Sequence, residues 1–141
     1  MRFTRGYPDT VRDSLVKARV EVVSRMVELA NREQCDLFAI AGDLFDNLKV
    51  SKTAIRETAH ALKRFEGLVA VLPGNHDYLQ EADDPIWPNF ADQLGDDHLV
   101  LKDRRPYDLG PFELPCVLYP GVCCSKHSKE NAIGWVPEAT A

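Results

Sequence analysis

The sequence predicts an α/β layer fold built on a parallel sheet. Two observations carry that expectation. Helix-period segments and short all-apolar segments alternate along the first half of the chain. Each apolar run is about five residues long and closes on a turn residue, Gly42 in one case and Pro73-Gly74 in the other. Strands that are apolar at every position are covered on both faces, as in parallel sheets, and a helix between two such strands is the connection that parallel pairing needs.

In chain order, Thr10 to about Arg32 reads as a long amphipathic helix. Val11, Leu15, Ala18, Val22, Met26 and Leu29 recur at helical spacing, with Arg, Lys and Glu between them. Asp36 introduces the run Leu37 to Ala41, a buried strand by its length and bounding residues. Ser51 is placed to cap a second helix, Lys52 to Phe65, with Ile55, Ala59 and Leu62 on one face and Gly67 as its stop. Leu68 to Leu72 is the second buried strand. A short helix around Trp87 to Leu94 follows, interrupted by Pro85 and Pro88, and Leu99 to Leu101 and Cys116 to Tyr119 read as further strands. Pro106, Pro111, Pro115 and Pro120 keep this region in short pieces. Ser128 is placed to cap a final helix that Gly134 and Pro137 would terminate.

Length and composition exclude several classes. A chain of 141 residues is one domain, residues 1-141, large enough to bury a core. With 45% apolar and 28% charged residues it is not a disordered chain. No apolar run approaches the roughly 20 residues of a membrane helix. The N-terminal arginines, Arg2 and Arg5, precede no apolar core, so no secretory signal is read there and a cytoplasmic location is expected. Cys35, Cys116, Cys123 and Cys124 lack the spacing of a disulfide scaffold or a zinc module and read as buried, reduced thiols. The net charge of −5 argues against a module that grips nucleic acid through phosphates alone. It does not argue against a metalloenzyme, whose cations supply local positive charge.

Two polar clusters directly follow the two buried strands: Gly42-Asp43-Leu44-Phe45-Asp46 and Gly74-Asn75-His76-Asp77. Ligands of open α/β sheets bind beyond the carboxyl ends of the strands, where both clusters meet if the strands are parallel neighbours. A carboxylate can bridge two hard cations, an amide oxygen adds a neutral ligand, and a histidine beside them can act on a phosphoryl oxygen. The glycines let the backbone turn sharply off each strand. Either cluster alone is ordinary turn chemistry. Their order, on successive strands with a helix between, is what gives them weight.

Gly-Asp-Leu-Phe-Asp followed by Gly-Asn-His-Asp resembles the second and third motifs of the calcineurin-like metallophosphoesterases. The resemblance implies a partial metallophosphoesterase fold, a β-sandwich flanked by helices, and a metal-dependent phosphoester hydrolase. It implies two divalent metal ions with Asp43 and Asn75 as ligands, Asp43 bridging. It implies His76 as the catalytic histidine, with Asp46 and Asp77 orienting the ligands and His76. The context Ala41 to Asp46 after a long helix resembles the SbcD-type DNA repair exonucleases. That narrower likeness implies manganese, a DNA or other phosphodiester substrate, an SMC-like ATPase partner, and a homodimer. The alternatives are a phosphatase or small-molecule phosphodiesterase, and a non-catalytic interaction module on the same fold.

The sequence departs from the family pattern at both ends. No Asp-x-His precedes Asp43, and no Gly-His-x-His follows Asp77. The expectation is therefore a piece of a longer protein, truncated at both ends and inactive by itself. Of the other histidines, His60 is expected on the surface of the second helix and His98 in solvent. His127 sits among basic and hydroxyl residues of a kind that meets phosphate, although a solvated loop is the expectation.

Overall fold

The computed structural model describes residues 8–138. Its elements are α1 (Asp9–Arg32), β1 (Leu37–Ala41), α2 (Lys52–Leu62), β2 (Leu68–Leu72), α3 (Trp87–Leu94), β3 (Leu99–Val100), β4 (Tyr107–Asp108), a single 3-10 turn (Gly110–Phe112) and β5 (Val117–Leu118). The expected architecture is present: β1, β2 and β3 form a parallel sheet in that order, and β4 pairs with β5 in a separate antiparallel ladder.

Strand β2 is central and apolar at every position because it has cover on both sides. Val69 and Val71 join the main core with Val27 of α1, Ile55, Ala59 and Leu62 of α2, and Trp87, Phe90 and Leu94 of α3. Ala70 points the other way, into a smaller cluster with Leu101 and Tyr107. The period-2 geometry of a strand thus sorts one five-residue run into two cores. β1 pairs with β2 in register from Leu37↔Leu68 to Ala41↔Leu72, so both strands end level.

Ser51 caps α2 as expected, its hydroxyl accepting from the Ala54 N–H at 3.1 Å. The helix ends at Leu62, earlier than the expected Phe65, and Gly67 is not its cap. Gly67 instead lies against the Asp36 carbonyl, where a Cβ would collide, and the Leu68 N–H bonds that same carbonyl at 3.0 Å. Pro88 does not interrupt α3, since it occupies the first turn, where a missing N–H costs nothing. Asp84 closes that turn, its Oδ1 accepting from the Ile86 and Trp87 N–H groups.

Three further expectations are corrected. The stripe Val11, Leu15, Val22, Met26 and Leu29 of α1 faces outward, with Val22 54% and Met26 51% exposed. The inward stripe is Val16, Val20, Val23, Val27 and Ala30, which has the same helical spacing. Both stripes are apolar, so periodicity alone does not choose between them. The final helix does not form. Around Ser128–Pro137 the side chains of Ser128 and Asn131 take the N–H groups of Glu130 and Ile133, competing with helix bonds. The cysteines are free but not buried: Cys35, Cys116 and Cys124 are exposed and Cys123 is half-buried. No helix among the described residues is long and apolar enough to cross a membrane.

Candidate metal centre

The level ends of β1 and β2 bring the two polar clusters together. Gly42, at φ +96°, turns the chain off β1, and Asp43 itself sits at φ +55°, a left-handed conformation that a non-glycine residue adopts at a cost of about 1 kcal/mol. The matching turn after β2 is pressed against it. A Cβ on Gly74 would collide with the backbone nitrogen and carboxylate of Asp43, so only glycine permits this approach.

Asp77 fastens the two turns to each other. It is fully buried. Its Oδ1 accepts from the Gly74 N–H at 2.6 Å and its Oδ2 from the Phe45 N–H at 2.9 Å, one carboxylate tied to both loops. Its backbone carbonyl accepts from the Trp87 indole N–H at 2.5 Å, which joins the staple to α3. Burial pushes the Asp77 carboxyl above its ordinary range. The N–H groups of Phe45 and Gly74 oppose this, and the negative charge of Asp43 adds to it.

Asp43 and Asn75 face each other at this edge. Asp43 Oδ1 accepts from the His76 N–H at 3.0 Å. The Asn75 amide lies 3.3 Å from both Asp43 carboxylate oxygens. With its nitrogen turned to Asp43, the amide donates to both. With its oxygen turned to Asp43, three acceptor oxygens converge with no donor between them, and the amide nitrogen reaches the Lys126 carbonyl at 3.5 Å. Converging acceptors are the donor set of a hard cation. In that orientation the residues present fit a divalent metal, and Asp43 and Asn75 are the side chains that would hold it. Among the described residues no group of three or more His, Cys, Asp or Glu side chains gathers as a metal site.

His76 is oriented by a carbonyl. Its Nδ1 lies 3.1 Å from the backbone oxygen of Asp46. A carbonyl only accepts, so the Nδ1 atom carries the proton and Nε2 is left for another partner. Asp46 thus meets His76 through its backbone oxygen rather than through its carboxylate. The carboxylate turns to Arg19 of α1, at 3.5 Å.

Sequence reasoning did not place the segment from Val122 to Lys126 beside this pair. Val122 is buried, the Cys123 carbonyl accepts from the Leu79 N–H at 3.0 Å, and Lys126 approaches Asn75. Burial, and then the nearby charge of Asp43, raises the Cys123 thiol above its ordinary range. Nothing in the local sequence links residues about fifty positions apart. His60 is exposed as expected, whereas His98 is half-buried, accepting from the Val69 N–H through Nδ1 at 3.2 Å.

Residues 16–122, well over half of the chain, match the family model described as calcineurin-like phosphoesterase. No curated protein and no solved structure matches the chain.

Proposed function

The chain belongs to the calcineurin-like phosphoesterases, a family of metal-dependent phosphoester hydrolases, and we propose that it contributes to phosphodiester cleavage of the nuclease type, on DNA, with manganese held by Asp43 and Asn75. The observation that carries the reading is the meeting of the Asp43 carboxylate, the Asn75 amide and the His76 backbone N–H at the shared end of two parallel strands. A divalent cation, when bound, supplies Lewis acidity and neutralises charge developing on phosphoryl oxygens.

The chain's own residues do the rest. Asp77 holds the Phe45 and Gly74 N–H groups, so both loops keep one geometry when the substrate arrives. The Asp46 carbonyl fixes the His76 ring and its tautomer. Nε2 is thereby the atom offered to the phosphoryl oxygen or the leaving group, as a positioned donor or acceptor of a proton. Asp43, by taking the His76 N–H, keeps that residue beside the metal ligands.

Because, among the described residues, only Asp43 and Asn75 are brought together as candidate ligands, the chain by itself is expected to bind Mn2+ weakly and turn over slowly. Titration with Mn2+, followed by paramagnetic broadening of backbone amide signals, tests the site. Broadening centred on Asp43–Asp46 and Gly74–Asp77 is expected. Broadening centred elsewhere, for example on Asp96 and Asp97, would overturn it. An SMC-like ATPase partner and a homodimer belong to the same reading and are tested by co-purification and by sedimentation.

A further inference from the structure

We propose that Ser125–Lys129 is the phosphate-binding rim of this site, and that it takes the phosphate next to the one being cleaved in a nucleic-acid strand. The inference rests on the reading of Asp43 and Asn75 given above and names the class of substrate.

The segment is anchored where it begins and free where it is charged. Val122 is 3% exposed, and the Cys123 carbonyl is bonded to the Leu79 N–H, two residues after Asp77. Beyond this anchor Ser125 bonds the His127 carbonyl at 3.2 Å, a local turn that holds the backbone. Lys126, His127, Ser128 and Lys129 are exposed. The Lys126 carbonyl is the atom that reaches Asn75, so the first of these residues stands at the edge of the ligand pair.

Electrostatics gives the placement its meaning. The site holds the carboxylates of Asp43 and Asp77 in a chain of net charge −5, a surrounding that repels an anionic polymer. Cations on the rim offset that repulsion where the strand must pass. Among the described residues neither Lys126 nor Lys129 forms an ion pair, and the adjacent carboxylate, Glu130, is drawn to Arg104 at 3.5 Å. A lysine ammonium has three donors and no acceptor, which suits phosphate oxygens. Lys126 and Lys129 are three residues apart, a span of at most about 10 Å. Phosphates follow one another every ~3.4 Å of axis along one strand. The two lysines therefore cover neighbours of a single cleaved phosphodiester, which a small monoester does not possess.

The experiment is binding of a fluorescently labelled oligothymidylate to the chain, read by anisotropy across a salt series, both in EDTA and in Mn2+. The Lys126→Gln/Lys129→Gln variant is expected to lose affinity on the order of tenfold at low salt. The slope of log affinity against log salt should become shallower by about 1.4, two contacts at ~0.7 each on a single strand. A control with the same charge change on exposed lysines elsewhere, Lys17→Gln/Lys102→Gln, should keep the original slope. An unchanged slope in the rim variant, an equal loss in the control, or no binding by the parent chain at low salt would each overturn the proposal. The EDTA series reads the rim without metal. A failure of Mn2+ to broaden Asp43 and Asn75 would instead refute the metal assignment and leave the rim result standing.

Discussion

Replacing Asp77 separates the two contributions of its carboxylate, charge and hydrogen bonding. In Asp77→Ala the N–H groups of Phe45 and Gly74 lose their acceptor. Each buried donor left without a partner costs about 1–3 kcal/mol, which makes the expected loss about 2–6 kcal/mol. Asp77→Asn keeps one acceptor oxygen and sets an amide N–H2 against the other donor, so it should cost about half as much. Opposing this is the relief of a buried charge repelled by Asp43. The sign follows from the raised carboxyl pKa. The folded state holds its proton more firmly than the unfolded state, so the stability from this group is complete below the ordinary value of 3.8 and is lost as pH rises through the higher folded value. Asp77→Asn should flatten that dependence. Urea unfolding across the acid range, with amide exchange of Phe45 and Gly74, measures both effects. The reasoning is refuted if Asp77→Ala is as stable as the parent, or if protection of those two amides survives in it.

Gly74→Ala drives a methyl into Asp43 and is expected to cost about 1–3 kcal/mol and to abolish Mn2+ broadening at Asp43 together with that stability loss. His98 accepts the Val69 N–H only while its Nδ1 is unprotonated; burial lowers its pKa, with Asp97 opposing and Lys63 assisting. Its contribution is present above the ordinary value of 6.5 and is lost as pH falls through the lower folded value, and His98→Gln should remove this slope in urea midpoints measured across that range. In a protein with the full ligand set, His76→Ala should reduce turnover by roughly 100- to 10,000-fold while leaving metal content near parental. Asp43→Ala should lose metal and turnover together; elemental analysis beside rate measurements distinguishes them.

The sheet was legible because its signals are local. Leu37–Ala41 and Leu68–Leu72 match their expected limits, since an all-apolar run bracketed by Asp36 and Gly42, or by Gly67 and Pro73, has few other places to sit. The meeting of Asp43 with Asn75 followed from parallel neighbours with level ends. Features that depend on distant packing were not legible. The α1 face is one, because the stripe through Val16 and Val27 and the stripe through Val11 and Met26 differ only in which neighbours arrive. β4 is another: Tyr107–Asp108 is two residues long and exists through pairing with β5. Asp46 lies where the motif puts it, and that it meets His76 through its backbone is a detail the side-chain pattern does not carry. The approach of Lys126 to Asn75 has no trace in spacing at all.

The in-register pairing of β1 with β2 has a consequence for how this site tolerates change. The distance between its two halves is a peptide dimension, the ~4.8 Å pitch of neighbouring strands, rather than a product of side-chain volume. Substitutions in the core beneath, at Val69 or Val71 for instance, alter how often the sheet is intact but not how far apart the loops stand when it is. Repacking therefore acts on the fraction of molecules that are competent, and leaves the chemistry of each competent molecule as it was.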